Sequence, residues 1–205
     1  MKEKQLELLN KAVTEQEEAS QILLEYWKLY SNMGSWQFWV ILIFLLALPL
    51  IVLYFTIDRK KIFLIGFYGF SVNVWFTLAA SIGTRLGWWD YPYMLFPFTQ
   101  TGFSIISSVV PVLFMLVYQW TLNHNKNFYI FSLLISLFFS FVFVPLLVSF
   151  NLFRLNDGFN YFHVLLIFIS VFVVSKLIIN VFLYMQQKEL KVKGSSLHIF
   201  NNLQR

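Results

Sequence analysis

Five apolar runs divide this chain: Trp36–Ile57, Ile62–Thr84, Gly102–Trp120, Phe128–Phe150 and Phe159–Tyr184. Each is close to the roughly 20 residues that an α-helix needs to cross a hydrocarbon core. Short connections join them: Asp58–Lys61, an aromatic stretch from Thr84 to Phe98, Thr121–Asn127 and Asn151–Gly158. Of 205 residues, 59% are hydrophobic and only 12% charged, whereas a soluble domain carries roughly a quarter charged residues. Phe alone occurs 25 times, too often for a soluble chain of this size to bury. The expected fold is all-α: a polytopic membrane helical bundle of five transmembrane helices preceded by an N-terminal amphipathic helix. The expected parts are residues 1–35 (amphipathic helix and hinge), 36–184 (membrane domain) and 185–205 (basic cytoplasmic tail).

The N-terminal stretch is polar and lacks the apolar core of a signal peptide. Within it, Leu6, Leu9, Val13, Gln16, Ser20, Leu23, Trp27 and Tyr30 recur at alternating spacings of three and four. That is the seam of an amphipathic helix. Its polar middle argues against a coiled coil standing alone. The helix lies on the membrane surface or the bundle, or it binds a partner. Gly34 breaks it and Ser35 caps the next helix.

The connection Thr84–Phe98 packs Trp88, Trp89, Tyr91 and Tyr93 around Arg85 and Asp90, with Pro92 and Pro97 stiffening the backbone. Amphipathic rings between two apolar spans suit a membrane–water boundary, where the ring body meets acyl chain and its N–H or O–H meets water. The stretch reads as a structured cap. Five crossings put the chain's ends on opposite sides. Lys and Arg near the span ends then set the orientation. Arg59, Lys60, Lys61, Lys126, Lys188, Lys191 and Lys193 would share one side, and Lys28, Arg85 and Arg154 the other. The bias predicts a cytoplasmic C-terminus, with the N-terminal helix and the cap outside.

In the second span, Gly66, Gly69, Asn73, Thr77, Ala80 and Thr84 form a small and weakly polar stripe. Thr101, Ser104, Ser108 and Pro111 repeat it in the third span, and Ser132, Ser136 and Ser140 in the fourth. Small residues let helices approach in lipid, and hydroxyl and amide groups bond across the gap. The structural reading is interhelical packing. The functional one is a narrow polar cavity between these spans, opening under the cap where Thr84, Arg85 and Asp90 converge. Pro49, Pro111 and Pro145 should kink their spans.

The acids are Asp58, Asp90, Asp157 and seven Glu at 3, 7, 15, 17, 18, 25 and 189, none inside an apolar run. Proton-coupled carriers and transferases holding Mg²⁺ on paired carboxylates need acids at depth, so both classes are disfavoured. Lys176 is the one basic residue within a span. It snorkels to the boundary or binds a ligand, and Asn180 one turn on shares its face. His163 starts the fifth span as a hydrogen-bonded boundary residue or a base. Its fellows His124 and His198 are far off in sequence and the chain has no Cys, so no metal site is indicated. No hydrolase elbow, zinc-peptidase motif or glycine-rich phosphate loop is present, and no cofactor is implied. The net charge of +5 sits at segment ends, which suits lipid headgroups rather than nucleic acid.

The runs G-W-W-D-Y-P at 87–92, P-V-L-F-M-L-V-Y-Q at 111–119 and F-V-F-V-P-L-L-V at 141–148 carry a resemblance. They resemble a family of small, uncharacterised multi-spanning membrane proteins of endospore-forming Gram-positive bacteria, over about residues 36–175. The resemblance implies a bacterial plasma-membrane location and no established reaction. That family tends to carry acids late in span two and before the prolines of spans three and four. This chain has Ser81, Ser107 or Ser108, and Val144 there, so an activity built on those acids is not implied. The leading expectation is a non-enzymatic membrane protein that binds a partner protein or a lipid through its cap. Arg85, Asp90, Trp88, Trp89, Tyr91, Asn73, Thr77 and Thr84 are its ligand-binding candidates, and Lys176, Asn180 and His163 its buried polar candidates. The rivals are a lipid-handling protein or enzyme acting on an apolar substrate beneath residues 84–98, and a passive channel or carrier.

Overall fold

A computed structural model describes residues 3–97 and 102–203, with side chains through Lys188. Phe98, Thr101 and the side chains of Lys191 and Lys193, given roles above, lie outside the described residues. The chain is an all-α bundle with five helices long and apolar enough to cross a membrane: Trp36–Thr56, Ile62–Arg85, Ile105–Asn123, Phe128–Ser149 and Tyr161–Lys188. The last runs on through the expected tail. It continues to Leu203, within one helix of 43 residues. Arg85 ends the second span instead of belonging to the cap.

Spans two, three, four and five close a ring in that order, and span one leans on span three. Rings fill the centre. Phe139 stacks on Phe168 at 5.0 Å and 10°, Phe168 on Phe76 at 5.0 Å, and Phe114 stands beside Phe139 at 6.1 Å. Offset stacks of this kind add attraction beyond buried area, which lets a Phe-rich interior pack with definite geometry.

The three internal prolines do not simply kink their helices. Pro49, Pro111 and Pro145 each follow a π-helical stretch, Ile41–Ala47, Ile105–Val109 and Phe139–Phe143. In each, the residue before proline donates its N–H five residues back: Leu48 to Ile43, Val110 to Ile105 and Val144 to Phe139. Proline lacks an N–H and its ring crowds the carbonyl four residues earlier, and a wider turn relieves the crowding. Neighbouring spans bond carbonyls within these turns. Ser108 Oγ donates to Leu46 O at 2.7 Å, and Asn73 Nδ2 to Ile106 O at 3.2 Å. This is how lipid-embedded helices tolerate proline.

At one end, called here the turn end, the connection between spans one and two is clamped to span three. Gln119 Oε1 accepts from Asp58 N at 2.7 Å and Gln119 Nε2 donates to Thr56 O at 2.9 Å. Lys61 Nζ donates to Asn123 Oδ1 at 2.6 Å. At the other end, the cap end, the loops after spans two and four meet in a short antiparallel ribbon. Strand β1 (Trp89–Asp90) pairs Trp89 with Leu155 and Asp90 with Arg154 of β2 (Arg154–Leu155).

The N-terminal helix Glu3–Tyr26 buries no residue. It continues as a π turn, Trp27–Ser31, that ties it to the cap. Trp27 Nε1 and Ser31 Oγ both donate to Met94 O, and Ser31 Oγ accepts from Met94 N. Ser35 then caps the first span by accepting from Phe38 N, as expected.

Candidate functional site

The cap is built from two loops, not one. Asp90 Oδ2 accepts from Arg154 Nη2 at 2.7 Å and from Asn156 Nδ2 at 2.9 Å. Asn156 also donates from its side chain to Gly87 O and from its backbone to Trp88 O. The expected convergence of Arg85 with Asp90 is therefore corrected. Arg85 is exposed and makes no ion pair among the described residues. Burial alone would raise the Asp90 carboxyl, but the Asn156 and Arg154 hydrogen bonds and the guanidinium charge outweigh it and hold it below its usual value. Asp90 is a fastener between loops, with its accepting oxygen already committed.

The two tryptophans part company. Trp88 stays half-exposed and stacks on Phe159 at 5.0 Å and 13°. Trp89 turns inward to 4% exposure and lies against Gly83 of span two, where a Cβ would fall inside its ring. Tyr91 is also buried, against Phe153 at 5.1 Å, and rests on Gly102. Gly102 has φ +79°, so glycine serves both the backbone and the close contact there. Trp88 thus stays at the surface of the cap end, while Trp89 and Tyr91 are part of the core.

Beneath them is an apolar cavity of about 40 Å³, walled by Trp89, Tyr91, Phe153, Phe76, Phe139 and Phe168 among others. The cavity that these spans enclose together with span five is apolar, not the narrow polar one expected between spans two, three and four. The polar stripe is spent on packing instead. Asn73 bonds span three, Thr84 donates back to Ala80 O of its own helix, and Thr77 is half-buried. Gly69 lies so close to Met115 that a Cβ would overlap it. Of the fourth-span serines, Ser136 bonds its own helix, and Ser132 and Ser140 make no hydrogen bond, so none bridges to another span.

The enclosed Trp89 Nε1 also has no hydrogen-bond partner among the described residues. Burial pushes the Tyr91 phenol well above its usual range, and the neighbouring indole N–H offsets only part of this. The pair does not reach hydrogen-bond geometry. A buried donor with no acceptor is costly, and such groups call for an explanation.

The other candidates separate as well. Lys176 turns inward instead of snorkelling: Nζ donates to Tyr118 Oη at 3.3 Å and sits over the rings of Tyr118 and Phe128 at 4.5 and 5.2 Å. Ring faces and a hydroxyl stand in for the missing counter-ion. Asn180, one turn on in the same helix, is exposed, which removes it as a buried candidate. His163 is half-buried, Nδ1 accepting from Asn160 N and the ring packed on Phe159, so it closes the start of the fifth span. Groups of His, Cys, Asp and Glu able to hold a metal are absent among the described residues.

Sequence reasoning missed Arg154 and Asn156 as partners of Asp90. The available signal was topological: loops after spans two and four lie on the same side, and each carries charge between apolar runs. No family model, curated protein or solved structure matches this chain.

Proposed function

We propose that this is a non-enzymatic, multi-pass protein of the bacterial plasma membrane whose N-terminal helix engages a basic partner protein at the cap end. The observation that carries the reading is the helix itself. Glu3–Tyr26 buries nothing, while Trp27 and Ser31 bolt its base to Met94 of the cap. Leu6, Leu9, Val13 and Leu23 stand exposed along its seam. The helix carries six Glu against two Lys, a net charge of −4. Such a helix is repelled by anionic lipid headgroups and attracted to a basic surface. Its apolar seam supplies anchors of the kind helix-in-groove recognition uses.

The Lys and Arg bias supports an outside cap and a cytoplasmic turn end. The absence of carboxylates within the spans supports a holding role over a catalytic one. The resemblance to proteins of endospore-forming bacteria supports the plasma membrane as location.

The chain has no cysteine, so single-cysteine variants test the topology directly. In intact cells, Glu17→Cys should react with an impermeant maleimide, and Lys60→Cys only after permeabilisation; the reverse pattern overturns the orientation. A benzophenone residue at position 9 should cross-link one discrete protein, and Val13→Glu should abolish that product. Cross-links to lipid alone, or none, overturn the partner reading.

A further inference from the structure

We infer that the cavity beneath Trp89 is a binding site for the polar end of a single-chain apolar molecule carrying a neutral hydrogen-bond acceptor, such as a long-chain ester or ketone. The molecule enters sideways from the bilayer between spans two and five. Three independent observations converge on this.

The first is the orphaned donor. Trp89 lines the cavity at 4% exposure, and its Nε1 has no partner among the described residues. Apart from the Tyr91 phenol, the remaining wall is hydrocarbon and ring surface, with no cation facing it among the described residues. Such a wall accepts a carbonyl oxygen and penalises a carboxylate or phosphate, whose charge would lose its hydration uncompensated. The second is size. A cavity needs about 10–15 Å³ to hold one water-sized group, so about 40 Å³ takes the terminal few atoms of a chain and no headgroup.

The third is the exit. A lipid-facing groove of about 290 Å³ runs between spans two and five, along Trp75, Leu78 and Ile82 on one side and Leu166, Ser170 and Val174 on the other. Ala79 and Ile167 wall both this groove and the inner cavity. From Trp75 to Ile82 the groove is about 10 Å long at helical rise, enough to hold a stretch of extended tail. Both helices are apolar enough to lie in a membrane, so the groove faces acyl chains. Ala79 and Ala80 present only methyl groups on this wall, and Gly83 lets the indole come down against span two beside it. The acceptor seats on Trp89 Nε1, and the tail leaves past Ala79.

The test uses the full chain in phosphatidylcholine nanodiscs with methyl hexadecanoate bearing a mid-chain diazirine. Photolabel should map to residues 75–82 and 166–174, and excess unlabelled methyl hexadecanoate should compete where hexadecane does not. Trp89→Phe keeps an aromatic side chain and removes the donor; it should weaken labelling about 5- to 30-fold, the loss expected when a hydrogen bond to a buried group is removed. Ala79→Phe blocks the passage and should abolish the competed label while helix content stays unchanged. If Ala79→Phe fails to fold, Trp89→Phe decides alone. Label spread evenly over all lipid-facing helices, or competed equally by hexadecane and unchanged in Trp89→Phe, overturns the site. Neither result depends on the N-terminal helix or its partner.

Discussion

At the turn end, Gln119 and Asn123 reach from span three to clamp residues 56–61. At the cap end, Asp90, Arg154 and Asn156 clamp one loop to another. The fastenings are of the same kind: amide and carboxylate groups reaching more than sixty positions along the chain. The difference lies in what the fastened segments insert. The turn connection sends no ring into the bundle; in spans two, three and four Phe128 packs edge to face on Tyr68 and Tyr118, which tilt 46° against each other, and the groove at Lys60, Lys61 and Phe63 is an open one on the surface. The cap drives Trp89 and Tyr91 inward over an open space. A fastening that merely closes a loop is structure. One that holds a donor over a void is a site.

Removing the inserted ring should have the largest effect. Trp89→Ala enlarges an existing cavity and should cost about 3–5 kcal/mol, the range for large core aromatics, read as a lower melting temperature in detergent. Gly83→Ala forces the indole off span two and should cost about 1–3 kcal/mol as overpacking. Gly66→Ala on the same helix meets open space and should cost nothing measurable. At the turn end, Gln119→Ala removes two hydrogen bonds and should cost about 0.5–1.5 kcal/mol for each. If Gln119→Ala proved as damaging as Trp89→Ala, the contrast between the ends would collapse.

The smallest effect belongs to the Asp90–Arg154 pair, whose side chains are 42% and 67% exposed. Arg154→Ala should cost less than about 1 kcal/mol, as exposed pairs do. Because the folded Asp90 carboxyl is held below its ordinary value, its contribution is present above the ordinary carboxylate range. It is lost as the pH falls through the lowered value. Acid melting curves of the parent and Arg154→Ala should therefore converge at low pH. Curves that stay apart would show that Arg154 acts through packing instead of charge.

Much of the architecture was legible from residue order. Runs of about 20 apolar residues leave few choices but spanning helices, and an aromatic stretch between two of them had to lie at an end. The partner of Asp90 was not legible, because Arg85 is nearer in sequence and only ring closure of spans two to five brings Arg154 across. The prolines announced disturbance but not its form; a π turn and a kink answer the same missing N–H. The stripe from Gly66 to Thr84 was visible as periodicity. Its assignment to close packing and carbonyl bonding depended on Met115 and Ile106 of another helix. Lys176 looked free to snorkel because sequence does not show that Tyr118 and Phe128 stand beside it.

The claim that the cap end holds a ligand while the turn end does not is tested most directly by indole N–H resonances of the seven tryptophans in nanodiscs. Trp89 is assigned there by its loss in Trp89→Phe. Titration with methyl hexadecanoate should move the Trp89 resonance downfield to saturation and leave Trp120, at the turn end, where it was. A Trp89 resonance that does not move, or a Trp120 resonance that moves with it, would contradict the account.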